Sequence, residues 1–83
     1  MSDMTTKNKD QLLLKIGTRI KFLRERKNIS QQDLAALCNF EKANMRRIEA
    51  GRTNPTIFTL HKISQALSIS LSEIVDIENP QGL

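Results

Sequence analysis

The stretch ISQQDLAALCNFEKANMRRIEAG, residues 29–51, decides how the chain is read. Ser30 has the chemistry of a helix N-cap, and Asp33 three residues on makes a weaker version of the capping box. From Gln31 to about Cys38, the apolar residues Leu34, Ala35 and Cys38 share one helical face. Asn39 is one of the few non-glycine types that tolerate the left-handed backbone of a tight helix-ending turn. A second short helix follows over 42–50, with Met45 and Ile48 as its apolar stripe and Gly51 as its stop. Two such short helices with so brief a turn between them are held at a steep angle around one shared core, so one presents its polar face outward.

Upstream, residues 9–27 contain no proline, and Leu13, Ile16, Ile20 and Leu23 recur at helical spacing among Lys and Arg. That is an amphipathic helix, ended at Asn28-Ile29. Gly17 inside it weakens the helix and implies close approach by a neighbouring element. Downstream, Arg52-Thr53-Asn54-Pro55 is a loop, and Thr56 caps a fourth helix with Leu60, Ile63 and Leu67 inward. Ser68-Ile69 turn the chain, and Ser70 with Glu73 forms a capping box for a last short helix ending near Asp76. Residues 1–8 read as a flexible polar arm and 79–83 as a flexible tail, which leaves one domain over 9–78. The predicted fold is all-α, a compact five-helix bundle with no strand pattern and no repeat.

Composition narrows the functions. The chain has 83 residues, enough for one domain, and its 39% hydrophobic and 27% charged fractions are those of an ordinary globule. Three Phe are its only aromatics, which disfavours single-strand readers that stack bases on aromatic platforms. The net charge of +4 is uneven: 12 Lys/Arg face 6 Asp/Glu up to Pro55, against one and three from Thr56 onward. The first part therefore suits a polyanion. Cys38 is the single cysteine, which excludes an internal disulfide and fits a reducing compartment. With no signal-peptide pattern and no membrane-length apolar run, a cytoplasmic protein without a membrane partner is expected.

His61 has no second ligand at metal-binding spacing, and Cys38 on an inward face reads as a small buried hydrophobe. No metal and no cofactor are expected. One His, one Cys, no Gly-rich phosphate loop and no paired acidic motif leave no catalytic constellation, so an enzyme is not expected.

The outward face of the helix over 42–50 carries Lys42, Ala43, Asn44, Arg46 and Arg47. Such a cluster alone usually means a solvated face, yet the residue types suit DNA. Arg or Lys pairs with guanine acceptors, Asn with adenine, and Ala offers a surface to a thymine methyl. Gln31, at the start of the preceding helix, suits a phosphate, and Arg52, Thr53 and Asn54 lie where a second phosphate strand would run.

Three blocks, IGTRIKFLR at 16–24, ISQQDLA at 29–35 and MRRIEAG at 45–51, precede an N-P-T-x-x-T-L-x-K-I-x-x-A-L run at 54–67. In that order and spacing, the chain resembles the Cro/CI-type helix-turn-helix family over roughly residues 13–76. That family has the lambda-repressor-like fold and includes phage repressors and the controller proteins of restriction–modification systems. The resemblance implies base contacts from Lys42, Ala43, Asn44 and Arg47, with Arg46 at the edge of the face reaching base or phosphate. It implies backbone contacts from Gln31 and Arg52, and a partly buried ion pair of Arg24 with Glu49 joining helix one to helix three. Two residues depart from the pattern: Glu41 stands where Ser or Thr usually caps helix three, and Leu37 stands where a polar residue is common. A carboxylate at Glu41 suits the helix dipole but repels phosphates.

Phe58 takes an early position on helix four where relatives frequently have polar residues. It either packs inward or joins Leu71, Ile74 and Ile77 in an exposed apolar dimer seam. The expected function is that of a homodimeric regulator of transcription, placing helix 42–50 in the major groove of a near-palindromic operator. Its half-sites would lie about 34 Å apart on double-stranded DNA. The alternative is an antitoxin or coactivator-like module that uses the same fold to bind a protein partner.

Overall fold

The computed structural model describes residues 2–78, with side chains from Lys7 onward. Among the described residues the architecture is five helices and no strand: α1 (Ser2–Arg26), α2 (Gln31–Leu37), α3 (Lys42–Glu49), α4 (Ile57–Ala66) and α5 (Leu71–Ile74). The tail expected over 79–83 lies outside the described residues. The flexible arm expected over 1–8 is corrected for residues 2–8, which continue α1 back to Ser2. These residues contain neither Gly nor Pro. Once a helix is nucleated, each added residue gains a hydrogen bond at no further nucleation cost.

The shorter helices are defined by their ends. Ser30, Thr56 and Ser70 each accept a hydrogen bond from the backbone N–H three residues on. This satisfies donors that a helix start leaves open. Helices α1 to α4 all terminate through a left-handed residue, namely Asn28, Asn39, Gly51 and Ser68. At each, the next N–H reaches back five residues: Ile29 to Arg24, Phe40 to Ala35, Arg52 to Arg47 and Ile69 to Ser64, at 2.8–3.2 Å. Paired with the bond from the left-handed residue itself, this is the Schellman arrangement.

The expected inward residues form one core. Ile16, Ile20 and Leu23 of α1 pack with Leu34, Ala35 and Cys38, with Met45 and Ile48, and with Leu60, Ile63 and Leu67, all buried. Leu13 is only half-buried.

Ile74 requires a correction. Placed by expectation in an exposed seam, it is fully buried. The cause is the docking of α5 on α1: Arg19 Nε donates to the Glu73 carbonyl at 2.7 Å, and the same guanidinium lies 3.9 Å from Asp76. That clamp turns Ile74 into the core, while Leu71 and Ile77 pack half-buried against it. Phe58 does not pack inward; it is 66% exposed.

Gly17 marks the closest approach of α1 to α3. A Cβ there would fall 2.6 Å from the Ile48 carbonyl oxygen and nearer still to that of Glu49. Both obstacles are backbone, so neither can swing aside. Gly17→Ala should therefore cost about 1–3 kcal/mol, the usual penalty of overpacking, and lower the thermal midpoint by roughly 4 °C or more. Urea and thermal unfolding measure this, and wild-type stability in the variant would refute direct backbone packing of the two helices.

Candidate nucleic-acid interface

Helix α3 is held by its inner face and exposed along its outer one. Met45 and Ile48 are buried in the core. On the other side Lys42, Ala43, Arg46 and Arg47 are exposed and Asn44 is half-buried. None of the three cations forms an ion pair with a carboxylate among the described residues. The expected base-facing residues are therefore together on one exposed surface.

What orients that surface is a buried polar node. Arg24 Nε donates to Glu49 Oε2 at 2.7 Å and its Nη2 to Glu49 Oε1 at 3.0 Å, a bidentate pair. Gln31 Nε2 donates to the same Oε1 at 3.0 Å, and Arg24 Nη1 to the Ile29 carbonyl at 2.9 Å. One carboxylate thus ties α1, the start of α2 and the end of α3. The bond to Glu49, outweighing the cost of desolvation, raises the Arg24 pKa above its already high ordinary value. The guanidinium therefore stays charged throughout the neutral range. Gln31, expected to touch DNA backbone, commits one of its amide N–H groups to Glu49 and keeps the other.

Glu41 sits at the N-cap of α3 with extended backbone, and its side chain makes no capping hydrogen bond. Leu37 is 61% exposed at the end of α2. Beyond α3, Arg52 and Asn54 are exposed and Thr53 half-buried. Asn54 lies beside Pro55 and Leu12 at an apolar recess between the loop and α1.

Arg46 lies on the flank of α3 that faces α1, in an open depression shared with Lys21, Arg24, Gln31, Glu49 and Ala50. Lys21 was not among the residues expected to matter. Its spacing held a signal, because it lies one helical turn before Arg24 and hence on the same side of α1.

The remaining candidates are accounted for by packing. Cys38 is buried, with its Sγ 3.9 Å from the Lys62 carbonyl. Burial pushes the thiol pKa up, against an opposing pull from the Lys62 charge. The Lys62 ammonium lies over the rings of Phe40 and Phe58, at 4.9 and 6.0 Å. Among the described residues no group of His, Cys, Asp and Glu could hold a metal ion. No helix there is long and apolar enough to cross a membrane.

A pair of short helices at a left-handed turn, its outer helix basic and its inner side locked to helix one, defines a helix-turn-helix DNA-binding domain. Residues 20–74 match the Helix-turn-helix family, and the chain belongs to it, among the Cro/CI-like transcriptional regulators. This is a DNA-binding, non-enzymatic family. The chain is 35% identical to an uncharacterised HTH-type transcriptional regulator of Sinorhizobium fredii, over 72% of itself and 78% of that protein. It is also 35% identical to the control protein C.MunI of a Mycoplasma species, over 83% of itself and 96% of that protein. Among solved structures, the restriction-modification controller protein C.AhdI of Aeromonas hydrophila superposes with a TM-score of 0.73 at 32% identity. That match covers 75% of this chain and 94% of the controller.

Two measurements test the node and its surroundings. Arg24→Ala strands the Glu49 carboxylate in the core and should cost about 3–5 kcal/mol, whereas a double Arg24→Met/Glu49→Met variant should recover most of it. Equal loss in both variants would mean that the charge pair is not what the single substitution exposes. For Cys38, a raised thiol pKa makes the folded state hold its proton more tightly than the unfolded one. That contribution is complete below the ordinary thiol value of about 8.5 and is lost as pH rises through the folded value. Unfolding free energy should thus fall more steeply as pH rises above about 8.5 in the wild type than in Cys38→Ala. Parallel pH profiles would contradict it.

Proposed function

We propose that the chain regulates transcription as a homodimer, each subunit laying α3 in the major groove at one half of a near-palindromic operator. The observation that carries this reading is the outer face of α3. Lys42, Asn44 and Arg47 stand exposed or half-exposed, with no carboxylate partner for either cation among the described residues, on a helix whose angle is fixed by Arg24, Glu49 and Gln31. Lys42 and Arg47 have the reach and charge for guanine acceptors, Asn44 can bond adenine bidentately, and Ala43 can lie against a thymine methyl. Gln31, Arg52, Thr53 and Asn54 flank that face and would hold the phosphate strands on either side. The relatives named as an immunity repressor of Bacillus phage phi105 and as controller proteins support regulation of this kind. A regulator of this kind would act in the cytoplasm, where the DNA of its bacterial relatives lies.

The pairing surface is built around Phe58 and its neighbour Ile57, which are 66% and 65% exposed on α4. Large apolar side chains left this open favour association, and a domain of this size gains stability from pairing. Leu71 and Ile77 border the surface at most, and Ile74 takes no part because it is buried.

Selection from a random duplex pool tests the reading, using wild-type protein and Arg47→Ala. Wild type should enrich a two-fold-related site, and Arg47→Ala should lose preference at one position per half-site, costing about 1–3 kcal/mol there. Phe58→Glu should sediment as a monomer and bind half-sites independently. No enriched sequence, with all duplexes weakened alike by Arg47→Ala, would refute specific readout and favour a protein partner instead.

A further inference from the structure

We propose that Lys21 of α1 and Arg46 of α3 together grip one phosphate of the DNA backbone, so that Arg46 sets the register of α3 and does not read a base. The proposal rests on the DNA-binding reading above and assigns a role within it to a residue on helix one.

The geometry follows from the buried node. Arg24 and Glu49 hold α1 against α3 through two direct hydrogen bonds. Lys21 lies three residues before Arg24, and Arg46 three residues before Glu49, so each is displaced one turn from the bonded pair on the same side of its helix. The two side chains consequently line one open depression of about 290 Å³, with Gln31 on its wall and Ala50 as a small residue beside it.

Charge decides what this depression accepts. The Glu49 carboxylate is spent on both oxygens, Oε2 on Arg24 and Oε1 on Arg24 and Gln31. The Arg24–Glu49 pair is neutral as a unit, which leaves the depression the two positive charges of Lys21 and Arg46. Neither forms an ion pair among the described residues. Glu25, one turn on from Lys21, lines the neighbouring hollow with it yet makes no such pair. An arginine fork and a lysine point charge, with Gln31 lining the same depression, match the oxygens of a phosphodiester.

Helix geometry separates Arg46 from Arg47 and Asn44. Successive residues are about 100° apart around an α-helix. With Arg46 turned toward α1, Arg47 points well away from it, on the side of Ala43 and Asn44, while Lys42 lies one turn before Arg46. Two cations on different helices meeting at one phosphate would fix how deeply α3 enters the groove, because neither helix could shift without losing that contact.

The test measures affinity for the duplex that wild type selects, at salt concentrations from about 50 to 200 mM, for wild type, Lys21→Ala, Arg46→Ala and the double variant. Each phosphate contact contributes about 0.9 to the slope of log affinity against log salt. The double variant should lose one such increment, and both single variants should select the same sequence as wild type. A methylphosphonate placed at successive backbone positions should find one site that weakens wild type but leaves the double variant unaffected. Both residues are exposed, so helical content by circular dichroism should not change. Relaxed preference at a base position in Arg46→Ala would overturn the clamp, as would a loss of two increments in the double variant. Unchanged affinity and slope in Lys21→Ala, with wild type still bound, would sink the clamp alone. Absence of duplex binding by wild type would sink the DNA reading with it.

Discussion

Everything the outer surface can do depends on the carboxylate of Glu49, which accepts from Arg24 and Gln31 inside the protein. A charge pair taken out of water costs about as much as its mutual attraction returns, so net stability is a poor account of this one. Its effect is geometric. Hydrogen bonds to both oxygens hold the carboxylate in one orientation, and the end of α3 is held with it. Gly17 reinforces the constraint at backbone level, because α1 rests directly on the carbonyls of Ile48 and Glu49. A helix fixed by both side-chain and main-chain contacts presents its outer residues at a repeatable angle.

The helices that carry this surface are too short to persist alone. Helices α2 and α3 have 7 and 8 residues, well under the length at which an isolated helix becomes even marginally stable. They rely on caps and on a shared core. Four successive left-handed terminations satisfy the last carbonyls, and side-chain caps open α2, α4 and α5. Helix α3 alone among α2 to α5 begins without a side-chain hydrogen bond, because Glu41 leaves its carboxylate free. That helix therefore depends on Met45, Ile48 and Glu49 to hold it, and its N-terminal end has an exposed negative charge beside a basic face.

The opposite side of the molecule is organised by Arg19. Its bond to the Glu73 carbonyl joins positions 54 residues apart and folds α5 onto α1. Without that clamp Ile74 would lie in the apolar strip with Leu71 and Ile77, as its spacing suggests. With it, Ile74 is drawn into the core while Leu71 and Ile77 stay half-buried, and the large apolar side chains left exposed include Ile57 and Phe58 on α4.

The sequence by itself determined the features that act over a few residues. Ser30, Thr56 and Ser70 as caps, Asn39 and Gly51 as left-handed stops, and the apolar periodicity of each helix were all legible, because their causes are local bonds and a 3.6-residue repeat. The residue types on the outer face of α3 were legible for the same reason, and the blocks in register gave the family. Less visible were Ser68 in a left-handed turn, since serine carries no strong preference for it, and the backward extension of α1 through polar residues. Tertiary structure alone decided the burial of Ile74, the outward turn of Phe58 and the meeting of Lys21 with Arg46. Each depends on how one helix is rotated against another, and residue identity fixes what a side chain can bond but not which distant side chain it will face.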